Sequence, residues 1–351
     1  MDILKYLYHS NITLPTRINP FGKDIRGVKP LIKETCFEYN FEDPLDFLDV
    51  FDVNRSELYR ENGNDIYTSY IYRGHKNSEW DLLPSFFRNN QNHLSAYLSG
   101  NGHSSGEVIS FLQFIKGIDK LGLNLSDYSF ELLNLINTRD SSSSIKFDLS
   151  TNIFKFPKEE QLSELALAQH FGVETRLLDF TKNPMTALFF ASESAFPYEF
   201  LSKENKEKIG VWVIPRLLIE AIKEERFLQY VDVKKYQNIY ISAQNGVFLH
   251  YFPSVFQAES LSENIEKDNL LDISYTLDQL LTSNFKSETL NKLINEHIGK
   301  PMLFTLPHDQ LMPIAARLNQ LNVNWTTLMP SLDGVKKEVA RQNNKPFSNI
   351  I

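Results

Sequence analysis

Two stretches of the sequence place basic, acidic and hydrogen-bonding side chains among apolar neighbours. The first, residues 71–88, contains Tyr72-Arg73-Gly74 followed by His75. An arginine at the end of a strand presents a planar fork that binds phosphate or carboxylate groups. The glycine after it keeps Cβ bulk away from a ligand that approaches the backbone. We therefore predict Tyr72, Arg73, Gly74 and His75 as ligand contacts, with a turn that carries a solvated arginine as the alternative.

The second stretch, residues 164–191, supplies His170, Thr175, Arg176 and Asp179. His170 near a helix end can carry a proton or bind a ribose hydroxyl, and a structural histidine is the alternative. Thr175 either hydrogen-bonds a ligand or is an ordinary β-branched strand residue. Asp179 lies between two apolar residues, so we expect a buried or half-buried carboxylate with a partner such as Arg176. It is either a structural anchor of its turn or a ligand contact.

A third candidate, Gln244, precedes Asn245-Gly246. Asn-Gly predicts a β-hairpin within residues 238–252, because the central residues of a type I′ turn need positive φ. A neutral amide at this place can recognise a ribose or an amide like that of nicotinamide; an ordinary hairpin side chain is the alternative. The sequence has no phosphate-loop, dinucleotide-binding glycine, nucleophile-elbow or zinc-ligand spacing, which counts against the enzyme classes that use them.

Composition indicates a soluble globular protein. The chain has 351 residues, 42% of them hydrophobic, and its net charge of −8 counts against nonspecific binding of nucleic acid. Cys36 is the only cysteine, so no intrachain disulfide forms and a reducing compartment is expected. We find neither a signal-peptide pattern nor an apolar run long enough to span a bilayer, and we predict a cytoplasmic protein with no membrane partner.

Helix signals delimit the elements that would position these residues. Asp43-Pro44 and Asn183-Pro184 each combine a capping side chain with proline at the first helical position. Gly172 favours a helix end after His170, because glycine adopts the left-handed conformation cheaply. We therefore expect a helix on each side of the polar residues of the second stretch.

The distribution of elements predicts an α+β fold. Residues 211–214 form an almost wholly apolar strand of the kind found inside a sheet. Strands and helices alternate irregularly along the chain and no fixed repeat occurs. We predict a partly helical N-terminal extension over residues 1–65 and one domain over residues 66–345.

The same stretches resemble the FRG domain family, named for its Phe/Tyr-Arg-Gly motif. The matching pieces occur in order between residues 70 and 340: YRG at 72–74, followed by LLPS at 82–85; LALAQHFGVETRLLDFTKNPMTALFFA at 165–191; the strand at 211–214; SAQNGVF at 242–248; and NWTTLMPSLDGVKKEV at 324–339. The central piece is long and specific. FRG domains occur in bacterial and phage proteins, some in settings that suggest toxin or anti-phage activity.

The resemblance implies a fold similar to that of ADP-ribosyltransferases: a mixed, mainly antiparallel sheet with flanking helices. Arg73 would hold the phosphates or ribose of NAD, and Thr175 would brace the site. Gln244 would occupy the position that usually holds a catalytic glutamate, with Asp179 or His170 compensating for its missing charge. Tyr72, Gly74, His75 and Arg176 would complete the cofactor site.

Three functions follow as hypotheses. The first is an NAD-consuming ADP-ribosyltransferase or NAD glycohydrolase, which uses NAD as substrate, a macromolecule as possible target and no metal. The second is a non-catalytic sensor of a nucleotide or a phage protein. The third is an RNA-cleaving toxin with His170 as proton carrier, against which the negative net charge counts. The catalytic hypothesis requires Arg73, His170, Asp179 and Gln244 to lie in one pocket.

Overall fold

A computed structural model describes the chain in segments. The described residues are 22–52, 54–61, 64–65, 70–88, 105–137, 156–193, 207–226, 228–235, 238–250, 276–282 and 287–343. They include all of residues 71–88 and 164–191, the two stretches with candidate site residues, and also Gln244.

A mixed sheet forms the centre of the described structure. Its strands are β1 (Leu31–Ile32), β2 (Phe37–Asn40), β5 (Tyr70–His75), β6 (Leu178–Thr181), β7 (Lys208–Pro215), β8 (Gln229–Val231), β9 (Gly246–His250) and β10 (Met302–Pro307), while β3 (Arg60–Glu61) and β4 (Asn64–Asp65) form a separate pair. The order in the eight-stranded sheet is β1-β2-β10-β7-β5-β6-β9-β8. β2 and β10 are parallel, and the other pairings are antiparallel. The predicted α+β class, with a mixed and mainly antiparallel sheet, is confirmed.

Helices flank this sheet. They are α1 (Pro44–Val50), α2 (Ser85–Arg88), α3 (Ser105–Lys120), α4 (Asp127–Asn137), α5 (Leu162–His170), α6 (Pro184–Ser192), α7 (Arg216–Arg226), α8 (Ile239–Ala243), α9 (Leu277–Thr282), α10 (Glu288–Leu293), α11 (Leu311–Gln320), α12 (Trp325–Leu328) and α13 (Leu332–Asn343). Single 3-10 turns cover Glu57–Tyr59, Glu159–Gln161 and His308–Gln310, and a π-helical turn at Ile294–Ile298 follows α10. Within the described ranges, every helix is too short or too polar to span a membrane.

Strand β7 occupies the middle of the sheet, between β10 and β5. Its residues Ile209 to Pro215 are all buried, because helices and loops cover both faces of the sheet. The apolar strand predicted at residues 211–214 is confirmed as its central part. Such a strand needs no alternation of polar and apolar residues, since neither face meets water.

The predicted helix signals are also confirmed. Asp43 accepts hydrogen bonds from the Leu45 and Asp46 amides at the start of α1, and Asn183 accepts one from the Met185 amide at the start of α6. Gly172, with φ of 88°, follows the end of α5. Gly172 and Asn183 therefore mark where the helix before strand β6 ends and where the helix after it begins.

The predicted hairpin around Asn245-Gly246 is wrong. Residues 239–243 form helix α8, and Gly246 begins β9, which pairs with β6 and β8 instead of with the segment before it. Asn245 does adopt a positive φ of 49°, but it does so at the end of a helix. A positive φ serves a helix end as well as a hairpin turn, so the dipeptide alone does not distinguish them.

Alternation along β5 separates two hydrophobic cores. Tyr70 and Tyr72 enter the core on one face, together with α6 residues such as Leu188, whereas Ile71 enters the core on the other face. A third core joins α3 and α5 to β9. Residue 73 therefore lies on the face opposite α6, as the period of two in a strand requires.

The first 65 residues contribute to the same sheet. β2 pairs with β10 and β1 pairs with β2, so the sheet contains strands from both sides of the predicted boundary. The division at residue 65 stays a prediction. Cys36, next to β2, is a buried free thiol, and burial raises its pKa to about 12. It behaves as a small apolar core residue.

Candidate functional site

The sheet opens between β5 and β6, and this opening creates the candidate site. β5 pairs along its whole length with β7, but it pairs with β6 only through Tyr72 and Thr181. Beyond that pair the two strands diverge. A cavity of about 530 Å³ lies against this region, lined by residues 72–76 and 179–181. Its volume is in the range of pockets that hold small molecules.

The four residues predicted as catalytic all line this cavity. Arg73 comes from β5, Asp179 from β6, His170 from the end of α5, and Gln244 from the turn between α8 and β9. They originate from separate parts of the chain and meet only because of the fold. The convergence that the catalytic hypothesis requires is therefore present.

Arg73 is held in a fixed orientation across the strand opening. Its Nε donates to Nε2 of His75 at 2.9 Å, and one terminal nitrogen donates to the backbone carbonyl of Asp179 at 2.7 Å. The same terminal nitrogen lies 3.7 Å from the Asp179 carboxylate. The guanidinium thus bridges β5 and β6 where the backbone ladder between them has ended.

His75 supports Arg73 as a neutral imidazole. Because the Arg73 Nε–H donates to Nε2 of His75, that nitrogen is the acceptor and the ring proton is on Nδ1. Nδ1 then donates to the carbonyl of Trp80 at 3.1 Å. Burial, together with the charges of Arg73 and Arg88, lowers the pKa of His75 well below its ordinary value. At neutral pH the imidazole therefore adds no charge to the site.

Gly74 and Tyr72 have structural partners as well as a place on the cavity wall. A Cβ at Gly74 would lie 1.9 Å from the Ala187 carbonyl oxygen, so the glycine makes room for helix α6. We had expected that room to serve a ligand. The Tyr72 hydroxyl lies 2.8 Å from that of Tyr59, and burial raises the pKa of Tyr72. Any ligand contact of these two residues stays a prediction.

Asp179 is exposed, and the prediction of a buried or half-buried carboxylate is wrong. Its side chain is 56% accessible, whereas Leu178 and Phe180 on either side are buried. The reason is strand alternation: apolar neighbours in β6 face the cores, and the residue between them faces the cavity. Asp179 is therefore the carboxylate that β6 presents to the cavity.

His170 stacks on Tyr240 at the other side of the cavity. The ring centroids are 4.0 Å apart and the planes differ by 17°. Its Nε2 is buried and has no hydrogen-bond partner among the residues that the structure describes. Burial lowers the pKa of His170, and the nearby Asp179 carboxylate opposes this shift in part. The result is an imidazole that stays neutral at pH 7.

Gln244 connects the cavity to helix α12. Its side-chain amide donates to the Leu328 carbonyl at 3.0 Å, and its own backbone carbonyl accepts a 2.6 Å hydrogen bond from the Thr181 hydroxyl. The contacts explain why an amide suits this place, since a carboxylate has no proton to donate to Leu328.

Thr175 and Arg176 are not among the residues that line the cavity. The Thr175 hydroxyl donates to the side chain of Gln169 and accepts from the Leu177 amide. Arg176 has its amide 2.8 Å from Glu107 and also pairs its guanidinium with that carboxylate. Both are buried, and these contacts support the start of β6. A ligand contact of either residue stays a prediction.

Several lining residues were not predicted as site residues. They add positive charge, aromatic surface and one acid to the cavity, and comprise Lys76, Trp80, Arg88, Thr181, Thr186, Phe190, Glu193, Trp325, Met329 and Lys337. Lys76 pairs with Glu193 at 3.0 Å, and the Lys337 ammonium lies 4.2 Å from the centre of the Trp325 ring. Trp80 and Arg88 lie in the same stretch as Arg73, residues 71–88, and this proximity in sequence was the signal that could have identified them as site residues. Nothing in the local spacing links Trp325 or Lys337 to β5.

The cavity can thus receive an anionic ligand with flat rings. Cationic side chains attract phosphates, and tryptophan and phenylalanine offer surfaces for a base. Within the described segments, no group of three or more histidine, cysteine, aspartate or glutamate residues is arranged to hold a metal ion.

Comparison with known families agrees with this geometry. Residues 68–199 match the FRG domain family. The chain contains an FRG domain. The matched part of this FRG domain protein includes Arg73, His170 and Asp179, whereas Gln244 and Lys337 lie beyond it. No curated protein and no solved structure matches the chain significantly, so the likeness to ADP-ribosyltransferases stays a prediction.

Proposed function

We propose that this FRG domain protein binds NAD in the cavity and breaks its nicotinamide–ribose bond. The activity is that of an NAD glycohydrolase when water is the acceptor, and that of an ADP-ribosyltransferase when a macromolecule is. The observation that supports it is that Arg73, His170, Asp179 and Gln244 line one cavity of about 530 Å³. Their side chains provide a cation, a neutral base, a carboxylate and an amide, which are the groups that this reaction needs.

Binding follows from the charge and shape of the walls. Arg73 is oriented by His75 and the Asp179 carbonyl, so its fork is preorganised for a diphosphate. Lys337 supplies a second cation. Its ammonium lies over the ring of Trp325, which adds a flat apolar surface to the cavity wall. A preorganised cation loses little conformational entropy on binding, which favours affinity.

Asp179 is the group assigned to the transition state. When the bond between ribose C1′ and the nicotinamide nitrogen breaks, the electron pair leaves with nicotinamide and positive charge develops on the ribose. A carboxylate stabilises that charge, and Asp179 is the exposed carboxylate of β6 at the cavity. Gln244 carries no charge and donates its amide proton to Leu328, so it acts as a positioning residue.

His170 completes the reaction as a base. Water adds to C1′, and its proton passes to the neutral imidazole, whose Nε2 has no partner in the described structure. The net reaction converts NAD and water into nicotinamide, ADP-ribose and a proton. An acceptor hydroxyl, amine or guanidinium in place of water gives ADP-ribosylation.

Nicotinamide release from NAD tests the proposal. We expect release by the wild-type chain, and about 100-fold less by Arg73→Ala because the diphosphate loses its anchor. Arg317→Ala is the matched control: this arginine lies on α11, bonds Gln320 at 3.3 Å and does not line the cavity. Equal release by wild type and Arg73→Ala contradicts the proposal. Calorimetric binding of NAD without release indicates the sensor hypothesis instead.

A ring-preserving substitution tests the base. His170→Phe retains the stack on Tyr240 but removes the proton acceptor, and we expect a loss of about 100-fold or more. Because the pKa of His170 is lowered, the neutral form persists at pH 7 and the wild-type rate should fall only below pH ~6.5. Activity that rises on acidification through this range contradicts a neutral base.

A role in toxicity or anti-phage defence follows from the same activity, since loss of NAD stops growth. Expression of the wild-type chain in bacteria should lower cellular NAD and arrest growth, and Arg73→Ala should do neither. Equal growth of the two strains at equal protein levels, with NAD cleavage intact in vitro, contradicts the toxin role alone.

A further inference from the structure

Thr186 is a buried residue of the cavity wall, and its hydroxyl has no partner among the described residues. The residue is 1% exposed, lies on α6 and lines the cavity. Its Oγ1 has no hydrogen bond within the part of the chain that the structure describes. Neither the sequence patterns nor the reaction proposed above assigns this residue a role.

Other buried threonines around β6 are satisfied. The Thr181 hydroxyl donates to the Gln244 carbonyl at 2.6 Å, and the Thr175 hydroxyl bonds Gln169 and Leu177. Folded proteins leave few buried hydroxyls unsatisfied, because desolvation without a partner is unfavourable. The Thr186 hydroxyl therefore differs from those of Thr175 and Thr181 in having no hydrogen bond among the described residues, and this difference needs an explanation.

The position of the hydroxyl is fixed by its helix. Thr186 lies in the first turn of α6, where its amide donates to the Asn183 carbonyl at 3.1 Å. The next residue, Ala187, contacts Gly74 so closely that a Cβ there would be 1.9 Å from its carbonyl oxygen. Helix α6 is thereby packed on the strand that carries Arg73, and Thr186 belongs to the part of the cavity wall that this helix forms.

We propose that Thr186 is a ligand-binding residue whose hydroxyl bonds an oxygen of the ribose–phosphate part of the ligand. The inference rests on the proposed function and extends it with a contact that the FRG motif does not contain. A hydroxyl in the cavity wall that lacks a partner in the described structure gains one when a ligand binds against it. An isosteric apolar residue would suit the free protein as well or better, so the hydroxyl serves the bound state.

Thr186→Val separates this role from a structural one. Valine has the same shape without the hydroxyl, so the melting temperature should be unchanged or higher. The dissociation constant for ADP-ribose, measured by calorimetry on the full chain, should be about tenfold weaker, which is the effect of one neutral hydrogen bond. Thr186→Ser keeps the hydroxyl and should bind like wild type.

Thr305→Val is the matched control. Thr305 is 1% exposed, does not line the cavity, and donates to Asn40 at 2.8 Å. Its substitution should lower the melting temperature and leave ADP-ribose binding unchanged. If Thr186→Val lowers the melting temperature as much as Thr305→Val, its hydroxyl has an internal partner and the inference is wrong.

Two further outcomes separate the inference from the proposed function. Tight binding of ADP-ribose by wild type and Thr186→Val alike overturns the Thr186 contact and leaves the proposed function standing. A wild-type chain that binds neither NAD nor ADP-ribose overturns both. Inorganic pyrophosphate as a second probe locates the contact: a loss with both probes indicates a phosphate oxygen, and a loss with ADP-ribose alone a ribose hydroxyl.

Discussion

Two arginines from similar sequence surroundings have opposite environments in this protein. Arg176 is 2% exposed and pairs with Glu107, whose side chain is 0% exposed. Arg73 is 13% exposed and has a carboxylate at 3.7 Å that is itself 56% exposed. One arginine is enclosed with its counter-charge in the interior, and the other spans two strands at a cavity.

The difference shows how a fold separates support from function. Charge within the Arg176–Glu107 pair is compensated locally, as burial of an ion requires. Arg73 is oriented by a neutral ring nitrogen and a carbonyl oxygen, and the carboxylate 3.7 Å from it, that of Asp179, is itself exposed. A cation held in a fixed direction at the wall of a cavity suits a binding site for an anion.

Removal of the interior counter-charge should have the largest effect on stability. Glu107→Gln removes the carboxylate charge that pairs with the buried Arg176 guanidinium, and we expect the free energy of unfolding to fall by about 3–5 kcal/mol. Urea denaturation followed by circular dichroism measures it. A loss below about 1 kcal/mol would show that Arg176 is not enclosed, and the contrast with Arg73 would then fail.

Gln244→Glu tests the wall that joins the cavity to α12. The glutamate would place an oxygen against the Leu328 carbonyl in place of the donated proton, so we expect about 1–3 kcal/mol of destabilisation. Nicotinamide release should fall or stay constant. An increase in release would contradict the assignment of Asp179 and would give position 244 the role of a catalytic glutamate. Gln113→Glu, at an exposed position of α3 that does not line the cavity, serves as a control for the added charge.

Short-range chemistry explains what the sequence could predict. The caps at Asp43 and Asn183, the helix end at Gly172 and the buried strand β7 all depend on a few adjacent residues, and the structure confirms them. The α+β class follows from the mixture of such elements. The Asn245-Gly246 prediction failed because a positive φ is needed equally at a hairpin and at a helix end.

Long-range partners explain what it could not predict. Arg176 resembles Arg73 until Glu107 is known to lie beside it, and that residue is 69 positions away. Asp179 was expected inside because both neighbours are apolar, yet strand alternation directs it to the cavity. Lys337 and Trp325 reach the site through the packing of α12 and α13, which no local pattern records. The sequence indicated the polar residues between 170 and 179, and the fold determined which of them line the cavity.

His75 should make the stability of the cavity wall sensitive to acid. Its folded-state pKa lies well below the ordinary value of 6.5, so the unfolded chain binds the extra proton first as the pH falls. Stability is therefore complete above pH ~6.5 and should decrease by about 1.4 kcal/mol per pH unit below it, down to the folded pKa. His75→Gln should reduce this slope. His297→Gln, at an exposed histidine, should not, and equal slopes in all three proteins would show that His75 is accessible to protons.

Asp179→Asn should have the smallest effect on stability and a large one on activity. The side chain is 56% exposed, so the loss of its long contact with Arg73 should change the free energy of unfolding by less than about 0.5 kcal/mol. Nicotinamide release should nevertheless fall about 100-fold, because the ribose loses its stabilising charge. A fall in stability above about 1 kcal/mol would make Asp179 an anchor like Glu107, and unchanged release would remove it from the chemistry. Glu107→Gln should do the opposite and lower the free energy of unfolding strongly. The two substitutions together distinguish a charge that stabilises the fold from a charge that acts on a ligand.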